Sequence, residues 1–368
     1  MMNDLCIGFL GFGLIGGSIA RALKSKSRKT HICVYDISQE TLQEALADQI
    51  ADEIFSEWNE TFPKCDFVFL CAPVEDNSGL LKMAEQGCAQ DGIITDVGST
   101  KAGIHRMVRD LGLSASFIGG HPMAGSERCG YRNSKANLLE NAYYMLTPEP
   151  GVEPSKIERY RELVESIGAI PLILTPEKHD FATAAISHLP HVIAASLVNL
   201  VQKAATETKD NLFQRIAAGG FKDLTRIASS DPRLWQQICT SNQRNLIELL
   251  QQYQAMLNEF IEVLQTNEET LLTQYFQSAK SYRDQLPFTN AGFHADYTIK
   301  VDIADEPGAL ATIATILALR QLSIKNMEIT HNREWEEGVL AIAFYAEESQ
   351  REAVSILRQR GYTVYEIS

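Results

Sequence analysis

The run Leu5-Cys6-Ile7-Gly8-Phe9-Leu10 leads without a break into Gly11-Phe12-Gly13-Leu14-Ile15-Gly16, and a lone acidic residue, Asp36, closes the next apolar run. A buried strand that enters a tight glycine turn and then opens a helix offers unpaired N–H groups and a positive dipole end to a pyrophosphate. Gly11 permits the turn, Gly13 lets the backbone approach phosphates with no Cβ in the way, and Gly16 lets the helix pack against the strand. Residues 30–36 read as the second strand, which places Asp36 to accept hydrogen bonds from a ribose 2′-hydroxyl. A carboxylate there repels a 2′-phosphate, and no Arg or Lys follows in Ile37-Ser38-Gln39-Glu40, so the pattern favours NAD over NADP.

With 368 residues the chain exceeds one ordinary core, so two or three domains are expected. No run of 18 consecutive apolar residues appears, and Met1-Met2-Asn3-Asp4 has neither a basic region nor a signal-like core, which points to a cytosolic chain without a membrane partner. The seven cysteines lack CxxC spacing, and Cys6, Cys33 and Cys71 sit in strand-like runs as small core hydrophobes; neither a disulfide framework nor a metal site is expected. A formal charge of −14 leaves no basic surplus for nucleic acid.

After the glycine fingerprint, apolar runs alternate with helical stretches, the pattern of a doubly wound parallel sheet of Rossmann type over residues 1–175. Strands are expected at 65–71, ending at Ala72-Pro73, and at 92–96, 117–120, 142–146 and 169–174, with a helix over 154–166. Ligands on such sheets lie beyond the carboxyl ends of the strands. Residues 176–287 read as an all-α domain, in which Leu246, Leu249, Leu250, Tyr253, Leu257, Phe260 and Leu264 form one apolar stripe, suited to an intrachain core or a subunit interface. Residues 288–296 read as a linker. Residues 297–368 show the order β-α-β-β-α-β, a ferredoxin-like unit.

Three local patterns carry chemistry. In Gly119-Gly120-His121-Pro122-Met123-Ala124-Gly125-Ser126-Glu127, His121 is expected just beyond a strand and exposed, with an ordinary pKa suited to proton transfer near neutrality. In Gly219-Gly220-Phe221-Lys222-Asp223-Leu224-Thr225-Arg226, Lys222 and Arg226 are expected on one helical face, where Arg226 can grip a carboxylate and Asp223 can orient it; solvated helix charges are the plain alternative. His188 and His191 flank Leu189-Pro190 with a spacing open to metal, but no further ligand cluster accompanies them, so gating or packing is expected.

With these motifs placed, the chain resembles the prephenate dehydrogenases of tyrosine biosynthesis along essentially its whole length, with a C-terminal ACT domain. The resemblance rests on the glycine fingerprint through Ser18, on Asp96-Val97-Gly98-Ser99-Thr100-Lys101, on the segments around His121 and His188, and on Asp223-Leu224-Thr225-Arg226-Ile227-Ala228. It implies NAD-dependent oxidative decarboxylation of prephenate to 4-hydroxyphenylpyruvate, with His121 taking the proton of the C4 hydroxyl, Ser99 hydrogen-bonded to that His, and Arg226 on a substrate carboxylate. Glu127, Lys222, Asp223 and Trp235 are implied as supporting or gating positions, and which of His188 and His191 points inward stays open. A homodimer through the helical domain is also implied. In Asp305-Glu306-Pro307-Gly308-Ala309-Leu310, with Asn326 near the next strand, the tail is similar to the ACT turn that binds amino acids, which makes L-tyrosine the implied effector. Arogenate dehydrogenase, or an NAD-binding amino-acid sensor without catalysis, are the competing readings.

Overall fold

The computed structural model describes residues 5–57, 62–72, 77–125, 128–208, 212–266, 268–286, 297–303, 306–330 and 338–366. The chain divides into two compact units, Met1–Arg283 and Asp284–Ser368.

The first unit opens with β1 (Cys6–Leu10), α1 (Leu14–Lys26), β2 (His31–Tyr35), α2 (Gln39–Ala47), β3 (Glu53–Phe55), β4 (Cys65–Leu70), α3 (Asn77–Gly87) and β5 (Cys88–Asp96). These strands form one parallel sheet in the order β3-β2-β1-β4-β5. Strands covered on both faces must be apolar throughout, and Ile7, Phe9, Leu10, Phe67, Val68, Phe69 and Leu70 are all buried. The chain leaves β1 toward β2 on one side and returns to β4 on the other, so the order reverses between β1 and β4. The glycine turn sits at the carboxyl end of that switch point, where such sheets bind ligands.

Next come α4 (Ala102–Asp110), β6 (Ile118–Pro122), β7 (Tyr143–Pro148), α5 (Pro154–Ser166) and β8 (Ile170–Ile173). The last three strands do not extend the parallel sheet as the alternating pattern suggested. They form a separate sheet, β6-β7-β8, with β6 antiparallel to β7, joined to the larger one by an isolated bridge between Ile94 and Phe117. β8 is an edge strand, which tolerates Pro171 because an edge residue can lack its ladder N–H. β3, with three residues and a charge, is too short to show a period in the sequence.

The helical part contains α6 (Pro176–Thr183), a π-turn at Ala184–His188, α7 (Leu189–Thr208), α8 (Leu212–Ile216), α9 (Gly219–Thr225), a 3-10 turn at Arg226–Ser229, α10 (Pro232–Ser241), α11 (Gln243–Thr266) and α12 (Glu269–Gln285). Asn242 separates α10 from α11, the helix that carries the apolar stripe. Of the apolar stripe only Leu246 and Leu249 are buried, whereas Leu257 and Leu264 are exposed. The run Pro176–Thr206 is long and apolar enough, by length and composition, to cross a membrane. The expectation of no such run counted only uninterrupted apolar residues and so passed over it. Its His179, Asp180 and His188 are nonetheless fully enclosed by protein.

The second unit holds β9 (Thr298–Ile303), α13 (Ala309–Ala318), β10 (Ile324–Thr330), β11 (Gly338–Phe344), α14 (Glu347–Gln359) and β12 (Val364–Glu366). Its antiparallel sheet has the order β10-β11-β9-β12, that of a ferredoxin-like fold, over a core that includes Ile299, Val301, Ile313, Leu340, Ile342 and Leu357. The expected linker, 288–296, lies outside the described residues.

Candidate active site

Gly11 adopts φ +85°, and a Cβ there would stand 2.7 Å from the Ala72 backbone nitrogen, so the turn admits no other residue without displacing the end of β4. A Cβ on Gly16 would meet Cys71 at 3.2 Å, which confirms the close approach of α1 to the sheet. Around Gly13, at the start of α1, nothing lies within 4 Å of an added Cβ, leaving the helix terminus open. Phe12 is buried, while Leu14 and Ile15 begin α1 half-buried. The Asp36 carboxylate is tied to this loop: Oδ2 accepts from the Phe12 N–H at 2.7 Å and Oδ1 from the Ser38 N–H at 2.8 Å. It therefore braces the turn, and each oxygen keeps a further lone pair. Ala72 is described; Pro73 lies outside the described residues.

A cleft of about 460 Å³ opens beside the carboxyl end of β5, lined by Ser99, His121, His188, His191, Ser230 and Trp235 among others. The sequence placed His121 beyond a strand and exposed. It is instead the fourth residue of β6 and half-buried, because the ladder to β7 continues through His121 and Pro122. Gly119 and Gly120 make this possible: an added Cβ would fall 2.4 Å from Thr147 Oγ1 and 2.6 Å from the Tyr160 hydroxyl respectively. Beneath the strand, the fully buried Lys101 ammonium donates to the Gly120 carbonyl at 2.7 Å and to the Asp96 carboxylate. Burial pushes Lys101 down and Asp96 pushes it back up, with a net lowering.

His121 does not have the ordinary pKa expected from sequence. Burial, then the neighbouring His179, Lys101 and His188, hold it well below the usual range, so it is neutral at neutral pH. Its Nδ1 lies 2.8 Å from His179 Nε2. His179 Nδ1 in turn lies 2.8 Å from Asp180 Oδ1. Ser99 lines the same cleft, but no direct hydrogen bond joins it to His121, whose Nδ1 partner is His179.

The question left open at Ser187-His188-Leu189-Pro190-His191 is answered for both histidines, since both line the cleft. Pro190 lacks the N–H that a regular helix needs, and the chain passes it with a π-turn, in which Leu189 N–H donates to the Ala184 carbonyl. His188 Nδ1 accepts from Asn242 Nδ2 at 3.2 Å, and the same amide donates to the Asp180 carbonyl at 2.7 Å. Burial lowers the pKa of His188 to about 4. His191 stacks on Trp235, ring centroids 3.4 Å apart and planes 14° from parallel.

The basic constellation is not gathered in the same way. α9 ends at Thr225 and Arg226 begins a 3-10 turn, so Lys222 and Arg226 do not share a regular helical face. Lys222, Asp223 and Arg226 are exposed, and among the described residues the cleft lining contains no Lys or Arg, although Ile227 and Asp231 belong to it. Glu127 lies outside the described residues.

All seven cysteines are free thiols. Two groups, Cys6/Cys33/Cys65 and His31/Cys33/Glu53, bring possible metal-ligand atoms within 4.8 Å; neither includes His188 or His191. In the second unit Gly308 caps α13 in the left-handed region, φ +96°, with open space where a Cβ would stand. Pro307 and Leu310 are exposed and Ala309 half-buried. Asn326 sits at an irregularity of β10, where its Oδ1 accepts from the Met327 N–H. Asp305 lies outside the described residues.

The fingerprint signalled the turn and the sequence marked His121, but His179, Asp180, Asn242 and Lys101 were not singled out. Only Asp180 had a usable signal, as an acidic residue inside an apolar helical run that must find partners once buried.

The profile of the "Prephenate dehydrogenase, nucleotide-binding domain" matches residues 19–174, and that of the "Prephenate dehydrogenase, dimerization domain" matches residues 175–278. Prephenate dehydrogenase of Bacillus subtilis is 36% identical over 353 residues, 95% of each chain. Prephenate dehydrogenase of Aquifex aeolicus, solved with hydroxyphenyl propionate and NAD+, superimposes with a TM-score of 0.72 at 31% identity, over 77% of this chain and 99% of that one. Arogenate dehydrogenase of Synechocystis superimposes with a TM-score of 0.68 at 32% identity, over 76% of this chain and 99% of that one. Two profiles that together span residues 19–278, and a relative 36% identical over nearly the whole chain, make this chain a member of the prephenate dehydrogenase family.

Proposed function

We propose that this chain catalyses the NAD-dependent oxidative decarboxylation of prephenate to 4-hydroxyphenylpyruvate, with His121 as the base. The observation that carries the reading is a neutral, half-buried histidine in a cleft at the carboxyl end of a dinucleotide-binding sheet. The open helix terminus at Gly13 fits a pyrophosphate, and Asp36, held beside the turn, fits a ribose diol better than a 2′-phosphate. Bound there, NAD would supply the hydride acceptor that oxidation at C4 of the substrate ring requires.

His121 takes the C4 hydroxyl proton as the carbon–oxygen double bond forms. The bond to the ring carboxylate then breaks, its electron pair completes the aromatic ring, and the proton returns to the phenolic oxygen. Aromatisation makes the sequence favourable, so the protein's work is orientation and one proton transfer. Ser99 sits on the cleft wall to orient the hydroxyl, and stacked His191 and Trp235 provide a flat wall for the ring. Arg226, one residue before the cleft-lining Ile227, binds a substrate carboxylate, with Lys222, Asp223 and Glu127 in supporting or gating roles.

The Synechocystis relative gives arogenate a specific claim as substrate. NADH formation with prephenate and with arogenate, measured in parallel with identification of the aromatic product, separates the two. Faster turnover of prephenate to 4-hydroxyphenylpyruvate is expected; turnover of arogenate alone reassigns the substrate, and turnover of neither removes the reading. The helical segment matched by the dimerization profile, with Leu257, Ile261, Leu264 and Phe276 exposed, is assigned to a homodimer interface. The ferredoxin-like unit is assigned as an ACT domain that binds L-tyrosine at Asp305–Leu310 and Asn326, where the open, left-handed Gly308 leaves the start of α13 accessible to a carboxylate.

A further inference from the structure

We propose that His179 and Asp180 are positioning residues that fix the tautomer of His121, so that its Nε2 is the proton-accepting atom. The proposal rests on the assignment of His121 as the base. It starts from two buried side chains, His179 and Asp180, which are 0% and 1% exposed on α6 and belong to none of the motifs that mark the site in the sequence.

Asp180 fixes one end of the chain of bonds. Its Oδ1 accepts from the Lys101 N–H at 2.7 Å and its Oδ2 from the Ala102 N–H at 2.8 Å, so it holds the first residues of α4 as well as His179. Burial raises the Asp180 pKa, but the hydrogen bonds from His179 and from the Ala102 and Lys101 backbone outweigh it and hold the carboxyl below its usual range. An ionised carboxylate only accepts, so the hydrogen between Asp180 and His179 sits on His179 Nδ1. With its one ring hydrogen on Nδ1, His179 has a bare Nε2 that is itself an acceptor. Its partner at 2.8 Å, His121 Nδ1, must therefore carry the hydrogen. That leaves the lone pair of His121 on Nε2.

Reversing the first bond reverses the rest. If the group at 180 donates to His179 Nδ1, the hydrogen of His179 moves to Nε2, His121 Nδ1 becomes the acceptor, and His121 Nε2 carries a hydrogen and ceases to be a base. When His121 takes a proton on Nε2, its Nδ1–H can still donate to His179 Nε2 and His179 Nδ1–H to the Asp180 carboxylate, so the chain of bonds need not rearrange.

The test uses the full-length protein with 15N-labelled histidine. In the wild type, His121 is expected as the Nδ1–H tautomer. Asp180→Asn turns an NH2 group toward either His179 or Ala102, and kcat is expected to fall by about 10²-fold or more, with KM for the substrate within about threefold, in step with the appearance of the Nε2–H tautomer of His121, as when the wrong tautomer is imposed on a catalytic histidine. His179→Gln, whose side-chain oxygen can still accept from His121 Nδ1–H, should keep more activity than His179→Leu. His121→Asn combined with His179→Leu should lose no more than His121→Asn alone, because a positioning residue has nothing left to position.

Because Asp180 also caps α4, circular dichroism and melting of each variant accompany the kinetics, and the His179 pair decides the matter if Asp180→Asn does not fold. An Nε2–H tautomer in the wild type, or a folded His179→Leu variant with unchanged kcat, overturns the proposal. The tautomer is read without turnover, so a wild type inactive on prephenate and arogenate would count against the function while leaving this test intact.

Discussion

At the scale of single residues, the site depends on histidines that the protein keeps uncharged. His121→Asn should lower kcat by about 10² to 10⁴-fold and leave NAD affinity nearly unchanged, since a general base contributes roughly that much. Steady-state kinetics together with a cofactor titration check this, and near-normal turnover would remove His121 from the mechanism. His188, at about pKa 4, makes a second prediction through its burial. The unfolded chain binds a proton on this side chain from about pH 6.5 downward, while the native protein refuses it until about pH 4. The associated stability is therefore complete above about pH 6.5 and falls by about 3 kcal/mol as the pH drops to 4. Urea melts at pH 7.5 and 4.5 should show the loss, with a smaller loss in His188→Gln; equal slopes in the two proteins would contradict it. The sequence could mark His121 because Gly-Gly before it and Pro after it are unusual neighbours. It could not show that His179 meets it, since 58 residues separate two side chains that touch only after β6 and α6 have packed.

At the scale of elements, the glycine turn is the part most fully written in the sequence, because each glycine answers a local steric demand. Gly11→Ala places a Cβ at φ +85° and 2.7 Å from the backbone of Ala72, so we expect about 1–3 kcal/mol of lost stability and weakened NAD binding. Calorimetric melts and cofactor titration measure the two effects, and a variant with wild-type values for both would show that the turn is not held as described. Strand existence was legible from apolar runs such as 65–71, whereas strand partners were not. Nothing local told β6, β7 and β8 to form their own sheet with one antiparallel pair, because pairing direction is decided by connections spread over the whole unit. The joint at Asn242 was equally hidden: its side-chain bonds to Asp180 and His188 are long-range, and periodicity passes through it unchanged.

At the scale of the whole molecule, the apolar stripe read from α11 is largely uncovered in the single chain, which is the pattern expected of a surface that meets a second copy. Leu257→Asp together with Ile261→Asp should convert a dimer to monomer in light scattering; an unchanged mass would move the interface elsewhere. The C-terminal unit gives a separate expectation, that L-tyrosine inhibits the full chain and loses its effect on an active protein truncated at about Asn290. Inhibition undiminished by truncation would place tyrosine in the cleft as a competitor. The cleft itself was legible only in outline. Ser99, His121, His188, His191 and Trp235 line one cleft, but Arg226 stands on an exposed turn just outside, a position set by where α9 ends rather than by its spacing from Lys222. Arg226→Ala should raise KM for the dicarboxylate sharply, and an unchanged KM would reduce it to a surface charge. The measurement that bears on all of this at once is a crystal structure of the protein with NAD and 4-hydroxyphenylpyruvate. The phenolic oxygen is expected about 2.6–3.2 Å from His121 Nε2, within hydrogen-bond reach. A ligand bound away from His121, or facing its Nδ1, would contradict the mechanism.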